Sequence, residues 1–196
     1  SNPMKPLDRL LQRWRIVKAA PYIPPGARVL DIGCADGALF RQLRSRIGEG
    51  LGVDPGLSGG CGEGPYRLIA GRFPDDVPAA EPFDVITMLA VVEHIPLEQL
   101  PRVARQCSLL LKPGGRLILT IPSPAVDDVL HVLKRLHVLD GMELEEHTKF
   151  DVRNTPTIFS TGGLQLVIAK KFQLGLNHLF VFQKHSSLES ANAANE

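Results

Sequence analysis

The residues best suited to chemistry in this sequence are an acid and two glycines within "RVLDIGCADG", residues 28–37. Asp31 stands two residues before Gly33, and the spacing from Gly33 to Gly37 is GxxxG rather than the GxGxxG of a dinucleotide site. Asp31 would repel a pyrophosphate, whereas it would pair with the ammonium of an amino acid. Glycines at such a turn let a ligand approach the backbone closely. The stretch therefore predicts a ligand with a cationic, amino-acid-like end.

A second acid, Asp54, ends the next predicted strand in "GVD". In an open parallel sheet, ligands bind beyond the carboxyl ends of the strands, and an acid at this strand end can accept hydrogen bonds from both hydroxyls of a ribose. Asp31 and Asp54 together predict a ligand in which adenosine is joined to an amino acid. S-adenosylmethionine is such a ligand.

Five motifs in this order resemble the class I methyltransferases, specifically the small single-domain group called type 11 or type 12. They are "VLDIGCADG", "GVDPG", "FDVITMLAVVEHI", "LLKPGGRLILTIP" and "GLNHLFVF", and the resemblance covers residues 28–184. It implies S-adenosyl-L-methionine as the cofactor. The cofactor-binding residues that it implies are Asp31, Gly33, Cys34, Ala35, Gly37, Asp54, Pro55, Arg72, Phe73, Leu89 and Ala90. Cys34 is expected to be a small buried filler whose backbone, not its sulfur, matters.

The sequence departs from this family's pattern after the third predicted strand, at residues 67–70. The family commonly has a Gly-Asp pair there, whose acid meets the adenine amino group, but this chain has Gly71-Arg72-Phe73. Backbone groups near Arg72 and Phe73 are then expected to recognise adenine, with Phe73 as an apolar wall. Asp75 or Asp76 can replace the missing carboxylate, or each can be a solvated loop acid.

Two histidines are the candidates for catalysis by resemblance. His94, in "VVEHI", lies where the acceptor meets the methyl group in the family, and His147 matches an "H-x-x-F" stretch that often faces the active site. A histidine with a near-neutral pKa can take the proton of a hydroxyl or ammonium acceptor. Both can instead be structural, and because placing acceptor and sulfonium in line already lowers the barrier, a mechanism without a base stays open.

Composition excludes several partners. Lys and Arg number 22 against 21 Asp and Glu, so no basic excess indicates a nucleic-acid partner. No apolar run reaches the roughly 18 residues of a membrane span. The three cysteines lack CxxC spacing, which predicts neither disulfides nor a metal site and fits a cytoplasmic location. A monomer or a homodimer is expected.

Alternating strand and helix patterns predict an α/β fold, namely a doubly wound, mostly parallel, seven-stranded, Rossmann-like sheet with helices on both faces. The whole chain, 1–196, is predicted to be one domain: a covering N-terminal helix in 4–25, an acceptor-side lid in 122–159 and a disordered tail in 186–196. The helix is predicted to bury the stripe Leu7, Leu10, Leu11, Trp14 and Val17. A last helix is expected within 160–170. Residues 171–176 and 178–183 are predicted to form an antiparallel hairpin turning at Asn177.

The leading functional hypothesis is methyl transfer from S-adenosylmethionine to an oxygen or nitrogen of a small molecule. Alternatives are a nicotinamide-dependent oxidoreductase, which the GxxxG spacing disfavours, and a binding module without turnover. Modification of RNA or protein is disfavoured by the balanced charge and by the absence of an Asn-Pro-Pro-Tyr-like motif.

Overall fold

The structure is a computed structural model that describes residues 6–78, 81–123 and 151–185. Within these residues, the helices are α1 (Pro6–Ala19), α2 (Ala38–Gln42), α3 (Leu100–Leu110) and α4 (Thr155–Thr161). Single 3-10 turns lie at Ala20–Tyr22, Val92–His94, Leu97–Gln99 and Val152–Asn154. None of the described helices is both long enough and apolar enough to cross a membrane.

The described strands form one sheet. They are β1 (Ala27–Ile32), β2 (Ile47–Asp54), β3 (Cys61–Glu63), β4 (Tyr66–Ala70), β5 (Phe83–Leu89), β6 (Leu111–Pro122), β7 (Leu164–Phe172) and β8 (Asn177–Lys184). Their order is β3-β4-β2-β1-β5-β6-β8-β7. The central strands β4, β2, β1, β5 and β6 are parallel, and β8 is antiparallel to both of its neighbours. The strand order reverses at β1, which is where such folds bind their ligands.

The predicted Rossmann-like fold with an antiparallel last strand is confirmed, with one addition. Strand β3 is a three-residue edge strand in the glycine-rich stretch 58–65, for which no strand was predicted from the sequence. Gly62 pairs with Arg67, because the chain leaves β3, turns at residues 64–65 and runs directly into β4, so that the two strands pair antiparallel at the sheet edge. Six of the seven predicted strands coincide with β1, β2, β4, β5, β6 and β8, and the remaining one, predicted at 171–176, corresponds to β7 at 164–172.

The prediction of a last helix within 160–170 is wrong for most of that range. Helix α4 ends at Thr161, and residues 164–172 form β7. Gly163, with φ of 88°, stops the helix, and Leu164 and Leu166 then pair with Lys184 and Phe182 of β8. The hairpin therefore has a longer first strand than expected, and its turn spans residues 173–176 rather than Asn177.

The predicted buried stripe of α1 is also wrong. Leu10, Trp14 and Val17 are each about half exposed, while Ile16 and Ala19 are buried against the sheet. Both faces of this helix carry apolar residues, so the sequence pattern alone did not identify the inner one.

Two apolar layers cover the sheet, one on each face. Alternate residues of β1 point to opposite sides: Val29 packs with α1 and α2, and Leu30 packs with α3 and α4. Successive strand side chains point to opposite faces, so both layers need helices. This arrangement leaves the carboxyl edge of the parallel strands open to loops.

Candidate active site

Asp31 is a buried acid on the central strand β1. Its side chain is only 4% exposed, and the Thr87 hydroxyl on β5 donates a hydrogen bond of 2.6 Å to its Oδ1. Burial raises the pKa of Asp31 to about 7, the bond from Thr87 acts in the opposite direction, and the charge of Asp54 raises the pKa further. Among the described residues, no lysine, arginine or histidine pairs with Asp31. A bound cation would supply the missing positive charge.

The glycine turn after β1 depends on two left-handed backbone positions. Gly33 and Gly37 have φ of 73° and 74°, which glycine adopts without the strain of a side chain. A Cβ on Gly33 would lie 2.4 Å from Val91 Cγ2, so the turn and the loop after β5 touch here. Ala35 also has a positive φ, of 45°. The turn thus brings bare backbone to the point where strand order reverses.

Asp54, at the end of β2, ties this turn to the next strand. Its Oδ2 accepts a hydrogen bond of 2.8 Å from the Ala35 N–H, and its Oδ1 accepts one of 2.7 Å from the Gly56 N–H. A carboxylate has about four lone-pair sites, so both oxygens can still accept from a ligand. Pro55, between these contacts, is exposed.

Cys34 is buried and packs against β2. A Cβ on Gly52 would lie 2.7 Å from the Cys34 sulfur. A residue without a side chain is therefore needed at this position of β2, so that the glycine turn can pack against the strand. Sequence reasoning missed this role of Gly52. The signal was present in the repeated glycines of "GEGLGVD".

The loop after β4 uses its two acids differently. The Asp76 carboxylate accepts a hydrogen bond of 2.7 Å from the Arg72 N–H and packs on Gly71. Asp75 is turned away and forms an ion pair with Arg102 on α3. Phe73 packs against the apolar layer on the α3 side. Asp76, rather than Asp75, therefore stays at the corner where the family has its adenine-binding acid.

The loop after β5 forms the remaining wall. Leu89 ends the strand, and Ala90, with φ of 58°, donates a hydrogen bond of 2.8 Å to the Thr120 carbonyl. The 3-10 turn that follows buries Glu93 and leaves His94 exposed. His94 thus lies on the loop that contacts the glycine turn through Val91.

The structure brings the described candidate residues to one edge of four adjacent strands, β4, β2, β1 and β5. His147 lies outside the described residues, so its role stays a prediction. Sequence reasoning missed Thr87, the hydrogen-bond donor to Asp31, because the two residues meet only across the sheet. Within the described part of the chain, His, Cys, Asp and Glu form no group of three able to hold a metal.

These residues fit S-adenosylmethionine. A buried carboxyl without a cation stands beside bare backbone, and a second carboxylate with spare lone pairs lies one strand away. The first is suited to an ammonium and the second to a pair of ribose hydroxyls.

Comparison with known sequences agrees with this fit. The family model described as "Methyltransferase domain" matches residues 5–167. A ubiquinone biosynthesis O-methyltransferase of Pseudomonas aeruginosa is 32% identical over 130 residues, covering 61% of this chain and 53% of the relative. The Xanthomonas campestris pv. campestris enzyme of the same name is 34% identical over 132 residues with the same coverage. The chain thus spans about half the length of these curated relatives.

Solved structures share the fold at low sequence identity. N-methyltransferase NodS from Bradyrhizobium japonicum, in complex with S-adenosyl-L-homocysteine, has a TM-score of 0.63 at 17% identity, covering 93% of this chain and 89% of that one. The putative methyltransferase complexed with its activator Trm112 from Haloferax volcanii has a TM-score of 0.65 at 16% identity, covering 89% and 91%. These likenesses concern the fold, whereas the family model covers most of the sequence: the chain belongs to the methyltransferase-domain family.

Proposed function

We propose that this chain transfers a methyl group from S-adenosylmethionine to an oxygen or nitrogen atom of a small molecule. The observation that carries the proposal is the pair Asp31 and Asp54, which stand at the carboxyl ends of neighbouring strands, with Asp54 accepting a hydrogen bond from the Ala35 N–H of the glycine turn that follows Asp31. The names of the curated relatives support an oxygen acceptor. We extend the proposal to one domain that acts in the cytoplasm as a monomer or homodimer, and the reduced thiols of Cys34 and Cys107 suit a reducing compartment.

The residues around the glycine turn would hold the cofactor by three different groups. Asp31 pairs with its ammonium, Asp54 accepts from its ribose hydroxyls, and the backbone of Arg72 with the Asp76 carboxylate faces its adenine. Leu89 and Ala90 lie along the sulfonium end. The apolar surroundings of Asp31 exclude water and strengthen the charge pair.

When bound, the cofactor supplies an electrophilic methyl carbon. The acceptor's lone pair would bond to this carbon, and the sulfur would keep the electrons of the carbon–sulfur bond that breaks. His94, exposed on the loop after β5, would take the proton that the acceptor loses. His147 is proposed as a second group on the acceptor side, and an acceptor that is already nucleophilic needs neither.

Calorimetry with S-adenosylhomocysteine and with NAD tests the cofactor assignment. We expect S-adenosylhomocysteine to bind, NAD not to bind, and Asp54→Ala to weaken binding by about 1.5–3 kcal/mol, the range for hydrogen bonds to charged groups. Asp36→Asn is the matched control, because Asp36 is an exposed acid of the same turn that pairs with Arg41. Equal affinity of Asp54→Ala and the control would remove the ribose assignment.

A further inference from the structure

A cavity of about 290 Å³ lies between β7, β8 and the segment that leads into α4. Val152, Pro156 and Phe180 form its apolar wall, and Arg153, Lys171 and His178 contribute basic groups. This volume is at the lower end for small-molecule sites, so the cavity suits part of a ligand. We call it the basic cavity.

The charge of the basic cavity is one-sided. No Asp or Glu from the described part of the chain lines it, although acids and bases are nearly equal in the sequence. Lys171 has no ion pair with any described residue. Arg153 binds Asp151 through Nε and one terminal nitrogen, which leaves its other terminal nitrogen available to a ligand. Within the described residues, Asp151 offsets the charge of Arg153, and no ion pair offsets that of Lys171.

Lys171 also acts on His178, its neighbour across the hairpin. The two residues are paired in register on β7 and β8. Burial and the charge of Lys171 keep the pKa of His178 below its ordinary value, while a hydrogen bond with the Ile121 backbone acts in the opposite direction. The charged groups nearest to it in the cavity wall are Lys171, Lys170 and Arg153 with its partner Asp151. An anion beside Lys171 would remove the repulsion and raise the pKa of His178.

The basic cavity lies at the same edge of the sheet as the candidate active site. His178 is paired with Ile121 near the carboxyl end of β6, and β8 is two strands away from β5. Since neighbouring strands are about 4.8 Å apart, the cavity is displaced sideways from the end of β5 by roughly 10 Å. A small molecule of this length can reach from one to the other.

We propose that the basic cavity binds the carboxylate of a half-apolar small molecule whose opposite end is the methyl acceptor. This assigns a substrate class to the proposed function and rests on it. The apolar wall favours an organic carboxylate over a fully hydrated inorganic anion, because Val152, Pro156 and Phe180 gain nothing from a ligand without apolar surface.

The test compares 3,4-dihydroxycinnamate with its uncharged methyl ester, first by NMR titration without cofactor. The acid is expected to bind about twofold to fivefold more tightly than the ester, which is what the one exposed ammonium of Lys171 allows, and the preference should shrink with added salt. Lys171→Gln should abolish the preference. Lys184→Gln is the matched control, since Lys184 ends β8 at the opposite edge of the sheet, where its ammonium donates a hydrogen bond of 2.7 Å to the Leu111 carbonyl. Thermal melts of both variants check folding.

Two further readouts separate this proposal from the proposed function. On binding the acid, the pKa of His178 should rise in the unmodified chain and stay constant in Lys171→Gln. Equal binding of acid and ester, or a preference that survives Lys171→Gln, overturns the carboxylate site even if S-adenosylhomocysteine binds. Failure of S-adenosylhomocysteine to bind overturns the proposed function instead, and the titration without cofactor still decides the cavity.

Discussion

The edge that we propose for the cofactor, called the cofactor edge, is formed by the ends of β4, β2, β1 and β5. It differs in construction from the edge that we propose for the acceptor, called the acceptor edge, which is formed by β6, β8 and β7. The cofactor edge rests on backbone: positive φ angles at Gly33 and Gly37, and N–H groups of Ala35 and Gly56 bound to one carboxylate. The acceptor edge rests on side chains such as Lys171 and Arg153, gathered from separate segments. Backbone sites tolerate few substitutions, whereas side-chain sites can change their ligand by single replacements.

The largest effect is expected at the loop that joins the two edges. If His94 is the base that removes a proton from the methyl acceptor, His94→Ala should lower turnover by roughly 10²- to 10⁴-fold while cofactor affinity stays nearly constant. The measurement is S-adenosylhomocysteine release with 3,4-dihydroxycinnamate as acceptor. His185→Ala is the control, because His185 follows β8 at the opposite edge of the sheet. Joint loss of stability and cofactor binding would instead assign His94 a structural role.

The backbone character of the cofactor edge can be tested at Gly33. Gly33→Ala adds both left-handed strain and a contact of 2.4 Å with Val91, so we expect a loss of about 3–5 kcal/mol in the free energy of unfolding. Gly64→Ala has a similar φ of 61° with nothing within 4 Å of the added atom. It should lose only the strain, about 1–2 kcal/mol. Chemical denaturation of the two variants separates the cost of the left-handed strain from the cost of the contact with Val91. Equal losses in the free energy of unfolding would show that the contact with Val91 relaxes freely.

The buried acid makes the cofactor edge sensitive to pH. Because only the ionised Asp31 can pair with an ammonium, affinity for S-adenosylhomocysteine should rise on the order of 10- to 30-fold between pH 5.5 and 8, passing through the pKa of about 7. Calorimetry across this range measures it. A flat profile would show that the ammonium does not meet Asp31.

The same acid affects the stability of the free protein with a definite sign. The pKa of Asp31 is about 7 in the folded state, above the ordinary 3.8. Its contribution to the free energy of unfolding is therefore complete below pH 3.8 and is lost as the pH rises to about 7. Asp31→Asn, which stays neutral, should therefore gain stability relative to the unmodified chain over this window, by up to a few kcal/mol. Asp36→Asn serves as the control, since it replaces an exposed acid. Parallel curves for all three proteins would contradict the raised pKa.

The smallest effect is expected at the adenine corner. Asp76→Ala removes the acceptor of the Arg72 N–H and should weaken S-adenosylhomocysteine binding by about 1 kcal/mol. Asp75→Ala, which loses only an exposed ion pair with Arg102, should leave affinity unchanged. Calorimetry of the pair decides whether Asp76 replaces the acid that the family has in its usual place. Equal affinities would leave adenine recognition to backbone groups alone.

Much of the cofactor edge could be read from the sequence, because its parts lie close together along the chain. The glycine turn, Asp31 and Asp54 fall within one strand-helix-strand unit, and local patterns identify such units. The mostly parallel sheet was predicted from the same alternation of strands and helices, and the final hairpin from the short connection between its strands. What these patterns did not contain is the bond from Thr87 to Asp31, which joins residues 56 positions apart.

The acceptor edge was decided by tertiary structure. Residues 164–170, which lie in the range where a last helix was predicted, became part of β7 because β8 offered them a partner across the hairpin. Which face of α1 turned inward depended on the layer that Ile16 and Ala19 met. The basic cavity is lined by Arg153 together with Lys171 and His178 of the hairpin, and no local sequence pattern places residue 153 beside these two residues. Local backbone conformation depends on residues that are neighbours in the sequence, whereas contacts between distant segments form only when the sheet brings those segments together.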